Sequence, residues 1–91
     1  TITRQEAAVM VARAAKLCGL DTAVEASSIR DVLAQFGDYP KAAEWARSAL
    51  AFCYQSGILN EDDLEIRPLV AVKRCEVAQM LYNLLAKADL L

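Results

Sequence analysis

From Thr3 onward, apolar residues fall at Ala7, Met10, Val11, Ala14, Leu17 and Cys18, the three- and four-residue steps that set one face of an amphipathic helix. Thr3 and Glu6 have the spacing of a capping box, in which the Thr hydroxyl accepts from the Glu6 amide and the Glu carboxylate reaches back to the Thr3 amide. Arg4 is therefore predicted as the first helical residue, and Gly19 marks the stop. A second stripe over residues 41–56 puts Ala42, Trp45, Ala46, Ala49, Leu50, Phe52 and Cys53 on one face, with Pro40 near the first turn and Gly57 at the end. The third, from about Lys73 to Ala88, carries Val77, Met80, Leu81, Leu84, Leu85 and Ala88. Between the first two, Ser27 or Ser28 offers a cap for a short helix edged by Ile29, Val32, Leu33 and Phe36. Residues 58–72 are too irregular for a helix, and Pro68 steers Arg67 towards extended geometry, so the spacing predicts a loop with room for a short strand at Leu64–Arg67. The pattern is all-α: three main helices plus one short helix. The first main helix is expected to dock on the second and third through Met10, Val11, Leu17, Trp45, Phe52, Met80, Leu81 and Leu84.

The first and third helices open on nearly the same words. Residues 2–6 read ITRQE and residues 72–76 read VKRCE, so that Arg4 aligns with Arg74, Glu6 with Glu76, Ala8 with Ala78 and Met10 with Met80. Self-similarity at a fixed offset implies stacked units. The helix bearing Trp45 has no earlier counterpart, so residues 1–19 read as the closing helix of one unit and residues 33–91 as a whole second unit, together a single module. A chain that begins within a motif reads as a piece of something longer. The copies differ at the cap: Lys73 stands where Thr3 does, and a lysine cannot accept the amide hydrogen bond, a loss of roughly 1 kcal/mol.

Ninety-one residues that are 56% hydrophobic can bury one compact core. Ten Lys/Arg against twelve Asp/Glu, without a basic run, leave no electrostatic footprint for nucleic acid. The longest uncharged stretch, Ser48 to Asn60, is too short to cross a bilayer, so no membrane insertion is expected, and Arg4, Glu6, Arg13 and Lys16 interrupt any signal-peptide reading of residues 1–20. Cys18, Cys53 and Cys75 show no CxxC spacing and there is no histidine, which argues against a metal site. Buried free thiols are the expectation, since Cys18 and Cys53 fall on apolar stripes; a single disulfide of unassigned pairing is the alternative.

From Phe36 the chain runs FGDYPKAAEWARSALAFCYQSGIL and then EIRPLVAVKRCEVAQMLYNLL. This order resembles the S-layer homology domain: a Phe-x-Asp opening, a Trp-Ala helix ending in Gly-Ile, an Arg-Pro pair in a loop, and an Ile-Thr-Arg-x-Glu helix start. ITRQEAAVMVARAAKL resembles the closing half of a preceding repeat, and the likeness covers about residues 1–19 and 33–88. It implies a helical module that binds secondary cell-wall polysaccharide, pyruvylated or not, and holds exported proteins on the bacterial envelope without a covalent bond. It also implies neighbouring repeats, in the same or another chain, as partners and no cofactor. The family's groove residues fall on Arg4 and Arg74, Asp38 and Trp45. Such roles are physically reasonable, because an arginine in a first helical turn can aim its fork at a sugar carboxylate, and an indole offers a flat apolar face.

Each of those residues also has a structural reading. Trp45 lies on the apolar stripe and is expected in the core of so small a domain; the two arginines can pair with nearby carboxylates; Asp38 suits a turn or cap. The NEDDLE stretch lacks the alternating carboxylates and central glycine of an EF-hand loop, and reads as solvated loop. No nucleophile–base pair or phosphate loop argues for an enzyme. The competing function is a divergent module of the same fold that has lost the sugar and serves as a protein–protein interaction or spacer domain. A helix-turn-helix DNA binder conflicts with the acidic composition.

Overall fold

The computed structural model describes residues 1–60 and 64–90. Four helices follow in order, α1 (Arg4–Leu17), α2 (Ala26–Leu33), α3 (Glu44–Gln55) and α4 (Arg74–Lys87), with a single 3₁₀ turn at Tyr39–Lys41. Among the described residues there is no strand, only an isolated antiparallel bridge between Thr3 and Ala71. The fold is all-α, as the apolar spacing predicts.

α1 starts as its sequence dictates. Glu6 N–H donates to Thr3 Oγ1 at 3.3 Å and Thr3 N–H donates to Glu6 Oε1 at 2.8 Å, completing the capping box. The next two amides find partners far along the chain: Arg4 N–H donates to the Val70 carbonyl at 3.0 Å and Gln5 N–H to that of Pro68 at 3.1 Å. At the other end Gly19 takes φ +87°, and the Leu20 and Gly19 amides close on the carbonyls of Ala15 and Lys16, a Schellman motif. α4 ends the same way seventy positions later, with Asp89 at φ +61° in the glycine's place and Leu90 N–H on the Leu85 carbonyl. The repeat thus extends to the helix ends.

Helix α3 is shorter than its predicted span. Lys41 N–H and Ala42 N–H bond back to Asp38 and Tyr39, closing the 3₁₀ turn, and Ala42 and Ala43 are extended before the helix begins at Glu44. α2 forms where expected, but neither serine caps it: Glu25 holds the N-cap position without a side-chain bond, and Ser27 and Ser28 lie inside the first turn. The expected strand at Leu64–Arg67 is absent. Its backbone is taken up by side chains rather than by a ladder, and Arg67, instead of being extended before Pro68, adopts φ +51° and closes a turn through Val70 N–H on its own carbonyl.

The core sits between α1, α2 and α3. Ala8, Ala15, Ala46 and Ala51 are fully buried, and these small side chains let helix backbones approach; the Cys53 thiol lies 3.8 Å from the Ala8 carbonyl. Leu33, Leu50, Tyr54 and Ile66 fill the centre, with the Phe36 and Tyr54 rings 4.8 Å apart, and each such side chain contributes about 1.5–3 kcal/mol by leaving water. Of the residues expected to dock helix one, Val11, Phe52, Met80 and Leu84 are buried. Met10, Leu17, Trp45 and Leu81 are exposed, because alanines rather than long side chains make the α1–α3 seam and α4 turns only Met80 and Leu84 fully inward.

Candidate functional site

Arg4 is the first residue of α1 and, for an arginine, deeply placed, at 5% exposure. Its Nε donates to the Ile66 carbonyl at 2.9 Å, and Nη1 pairs with the carboxylate of Glu76 in the first turn of α4. The arginine of one copy of the repeat therefore binds the glutamate of the other. Glu76 has a second duty: its Oε1 accepts the Lys73 amide at 3.2 Å. Lys73 has no lone pair to return to the Glu76 amide, so α4 begins on half of a capping box. Arg74, the sequence twin of Arg4, is exposed, and its side chain has no hydrogen-bond or ion-pair partner among the described residues.

Asp38 acts at a distance. One carboxylate oxygen accepts Ile66 N–H at 2.9 Å and the other Arg67 N–H at 2.8 Å, so the residue fixes the loop ahead of Pro68 rather than capping its own 3₁₀ turn. Ile66 is thus held from both sides, its amide by Asp38 and its carbonyl by Arg4. One further polar tie was not legible in the spacing: Gln5 Oε1 accepts Ala43 N–H at 2.9 Å, so a side chain of α1 satisfies the N-cap amide of α3.

Two adjoining hollows run along the α3–α4 side. The larger, about 680 Å³, is lined by the amide side chains of Gln55, Asn60, Gln79 and Asn83. The second, about 320 Å³, shares Asn60, Gln79 and Asn83 and adds Arg4, Arg67 and Glu76. Gln79 Nε2 donates to Asn83 Oδ1 at 2.8 Å, and Asn83 Nδ2 to the Ile58 carbonyl at 3.1 Å, so these amides are oriented before any ligand arrives. The exposed guanidinium of Arg67 has no partner among the described residues. The surface offers fixed donors and acceptors with a cation at one end.

Trp45 stands elsewhere. It is 62% exposed, not core, because Ala46, Leu50 and Cys53 set the inward face of α3 one residue round the helix. It borders a cleft of about 220 Å³ against α1. The four sequence candidates therefore do not converge: Arg4 lines the α3–α4 groove, Asp38 braces the loop beside it, and Arg74 and Trp45 line neither hollow. The groove residues missed by motif reading are Gln79, Asn83 and Arg67. Their signals were the four-residue spacing on the polar side of the third helix and the Arg-Pro pair.

All three cysteines are free, and no disulfide forms. Cys18, expected to be buried, is exposed, because the last turn of α1 runs past the core and leaves Leu17 90% exposed. Cys53 is buried, and desolvation pushes its thiol up to about 12. The Glu6 carboxyl is held below its usual range, first by the Thr3 amide and then by the Thr3 hydroxyl. Among the described residues no cluster of His, Cys, Asp or Glu could hold a metal ion, and no helix is long and apolar enough to cross a membrane. The acidic residues 61–63 of the NEDDLE stretch lie outside the described residues. Comparison with family models, curated proteins and solved structures returns no match.

Proposed function

We propose that this chain is an attachment module that holds a larger exported protein on the bacterial cell envelope, by non-covalent binding of secondary cell-wall polysaccharide in the manner of an S-layer homology domain. The observation that carries the reading is the α3–α4 groove, where the oriented amides of Gln79 and Asn83 meet the guanidinium of Arg67. Sugar hydroxyls are both donors and acceptors, and side-chain amides match them on both counts. A guanidinium at the end of the groove suits a carboxylate substituent such as pyruvyl. Arg4 and Asp38 serve this surface from beneath, by holding the loop that carries Arg67.

The reading is tested by calorimetric titration with isolated wall polysaccharide, pyruvylated and unpyruvylated. Saturable binding is expected, weakened about tenfold or more in Arg67→Gln and in Gln79→Ala. Absence of heat with both polymers removes the sugar role. The second reading, a protein-interaction or spacer module, is favoured by one feature: a cleft of about 190 Å³ between α1 and α4, lined by Ile2, Met10, Val11, Val77 and Leu81 among other apolar residues. On either reading this cleft is where a neighbouring repeat, of the same or another chain, would pack.

A further inference from the structure

The cleft beside Trp45 shares no residue with the α3–α4 groove. Three segments build it. α1 contributes Arg13 and Lys16 from one face, α3 contributes Trp45 and Ser48, and Thr22 comes from the α1–α2 connection. Ala12 and Ala49 also line it, and their small side chains leave the indole face open between the helices. Arg13 and Lys16 are exposed, and among the described residues neither side chain has an ion-pair or hydrogen-bond partner. No carboxylate lines the cleft, although the chain as a whole carries a net charge of −2.

We infer that this cleft is a second binding site, for a single carboxylate-bearing sugar ring of an acidic glycan. The indole supplies a flat apolar surface for the C–H face of a pyranose, while Ser48 and Thr22 can exchange hydrogen bonds with ring hydroxyls. Arg13 and Lys16 supply the counter-charge for the carboxylate, and the arginine can engage both oxygens at once. At about 220 Å³ the space falls below the ~300–1,000 Å³ of sites for drug-sized ligands, which matches one ring rather than an oligomer. The site does not depend on the groove, so either could bind without the other.

Trp45 is the only tryptophan in the chain, so its fluorescence reports on this cleft directly. The full chain is titrated with a tetrasaccharide of alternating glucuronate and N-acetylglucosamine, with the neutral N-acetylglucosamine tetramer and with sodium acetate. The acidic tetramer is expected to give a saturable shift in Trp45 emission. That shift weakens about tenfold or more in Arg13→Gln/Lys16→Gln, whose exposed positions leave the circular dichroism unchanged, and persists in Gln79→Ala. The neutral tetramer and acetate are expected to give no saturable shift. The inference is overturned by no response to the acidic tetramer, by equal affinity in the double variant, or by an equal response to acetate or to the neutral tetramer. A loss in Gln79→Ala alone would move the acidic ligand to the groove and also overturn it.

Discussion

Arg4 and Glu76, seventy-two positions apart, are joined by an ion pair that connects the first turn of α1 to the first turn of α4. The two residues occupy different places in the same repeated motif, so the pair is a bond between copies. Arg4→Met leaves Glu76 and the Ile66 carbonyl without that donor and is expected to cost about 2–4 kcal/mol in urea unfolding. A double-mutant cycle with Glu76→Gln should return a coupling of about 1–3 kcal/mol. Arg74→Met, the same change at the twin position, should stay within about 0.5 kcal/mol of the parent.

Asp38 divides its two oxygens between two loop amides, and its variants should separate accordingly. Asp38→Asn keeps one acceptor and loses the charge, for about 1 kcal/mol; Asp38→Ala leaves both amides without it, for about 2–3 kcal/mol. Hydrogen exchange at the Ile66 and Arg67 amides is the direct measurement, with protection falling in the same order.

The acceptor that Gln5 lends to the N-cap amide of α3 predicts a substitution pattern opposite to helix propensity. Alanine is the better helix former, yet Gln5→Ala is expected to destabilise by about 1–2 kcal/mol, while Gln5→Glu, which keeps the acceptor beside the positive end of α3, should retain most of the stability. Thermal melts of the two variants decide it.

At Asp89 the expectation is a gain. The residue sits at φ +61° where α1 uses Gly19, and Asp89→Gly removes the steric cost of the left-handed conformation, for about 0.5–1 kcal/mol of added stability. Adding a Cβ at the matching position, Gly19→Ala at φ +87°, should lose about 1 kcal/mol, and both are read from chemical denaturation.

Cysteine chemistry and pH follow from burial. Cys18 and Cys75 should react at once with an aromatic disulfide reagent and Cys53 only on unfolding. Because the folded Cys53 thiol is raised to about 12, the unfolded chain releases that proton first: its contribution is complete below the ordinary thiol range and is lost as pH climbs towards 12. For Glu6 the sign is reversed. Its folded carboxyl is lowered, so its contribution holds above the ordinary carboxylate range and fades as pH falls through the folded value. Cys53→Ala should flatten the alkaline limb of the stability profile and Glu6→Gln part of the acid limb.

The helices were legible because their apolar steps, the Thr3–Glu6 box and Gly19 are local signals, each decided within a few residues. What could not be read was which side of each helix would be covered. Trp45 lies at the margin of its stripe, and only the approach of α1 and α2 to Ala46, Leu50 and Cys53 decides that it faces out. The site was half legible for the same reason. The motif marks Arg4 and Asp38, but their partners, the Ile66 backbone and Glu76, depend on the path of a loop with no periodicity of its own. Gln79 and Asn83 look like any solvated helix face until the chain end of α3 is laid beside them.

The way α1 is tied down also dictates the order in which the chain can mature during synthesis. Arg4 is bonded to Ile66, sixty-two positions on, and the amides beside it wait for Pro68 and Val70. At ~5–20 residues per second, a ribosome needs roughly 2–11 s to deliver those partners after α1 has been made. During that interval the leading helix has α2 and then α3 for company but no acceptors for its opening turn. Completion is therefore a post-delivery closure of α1 on the loop around Pro68, and a nascent chain arrested before Ile66 should remain a protease substrate within α1.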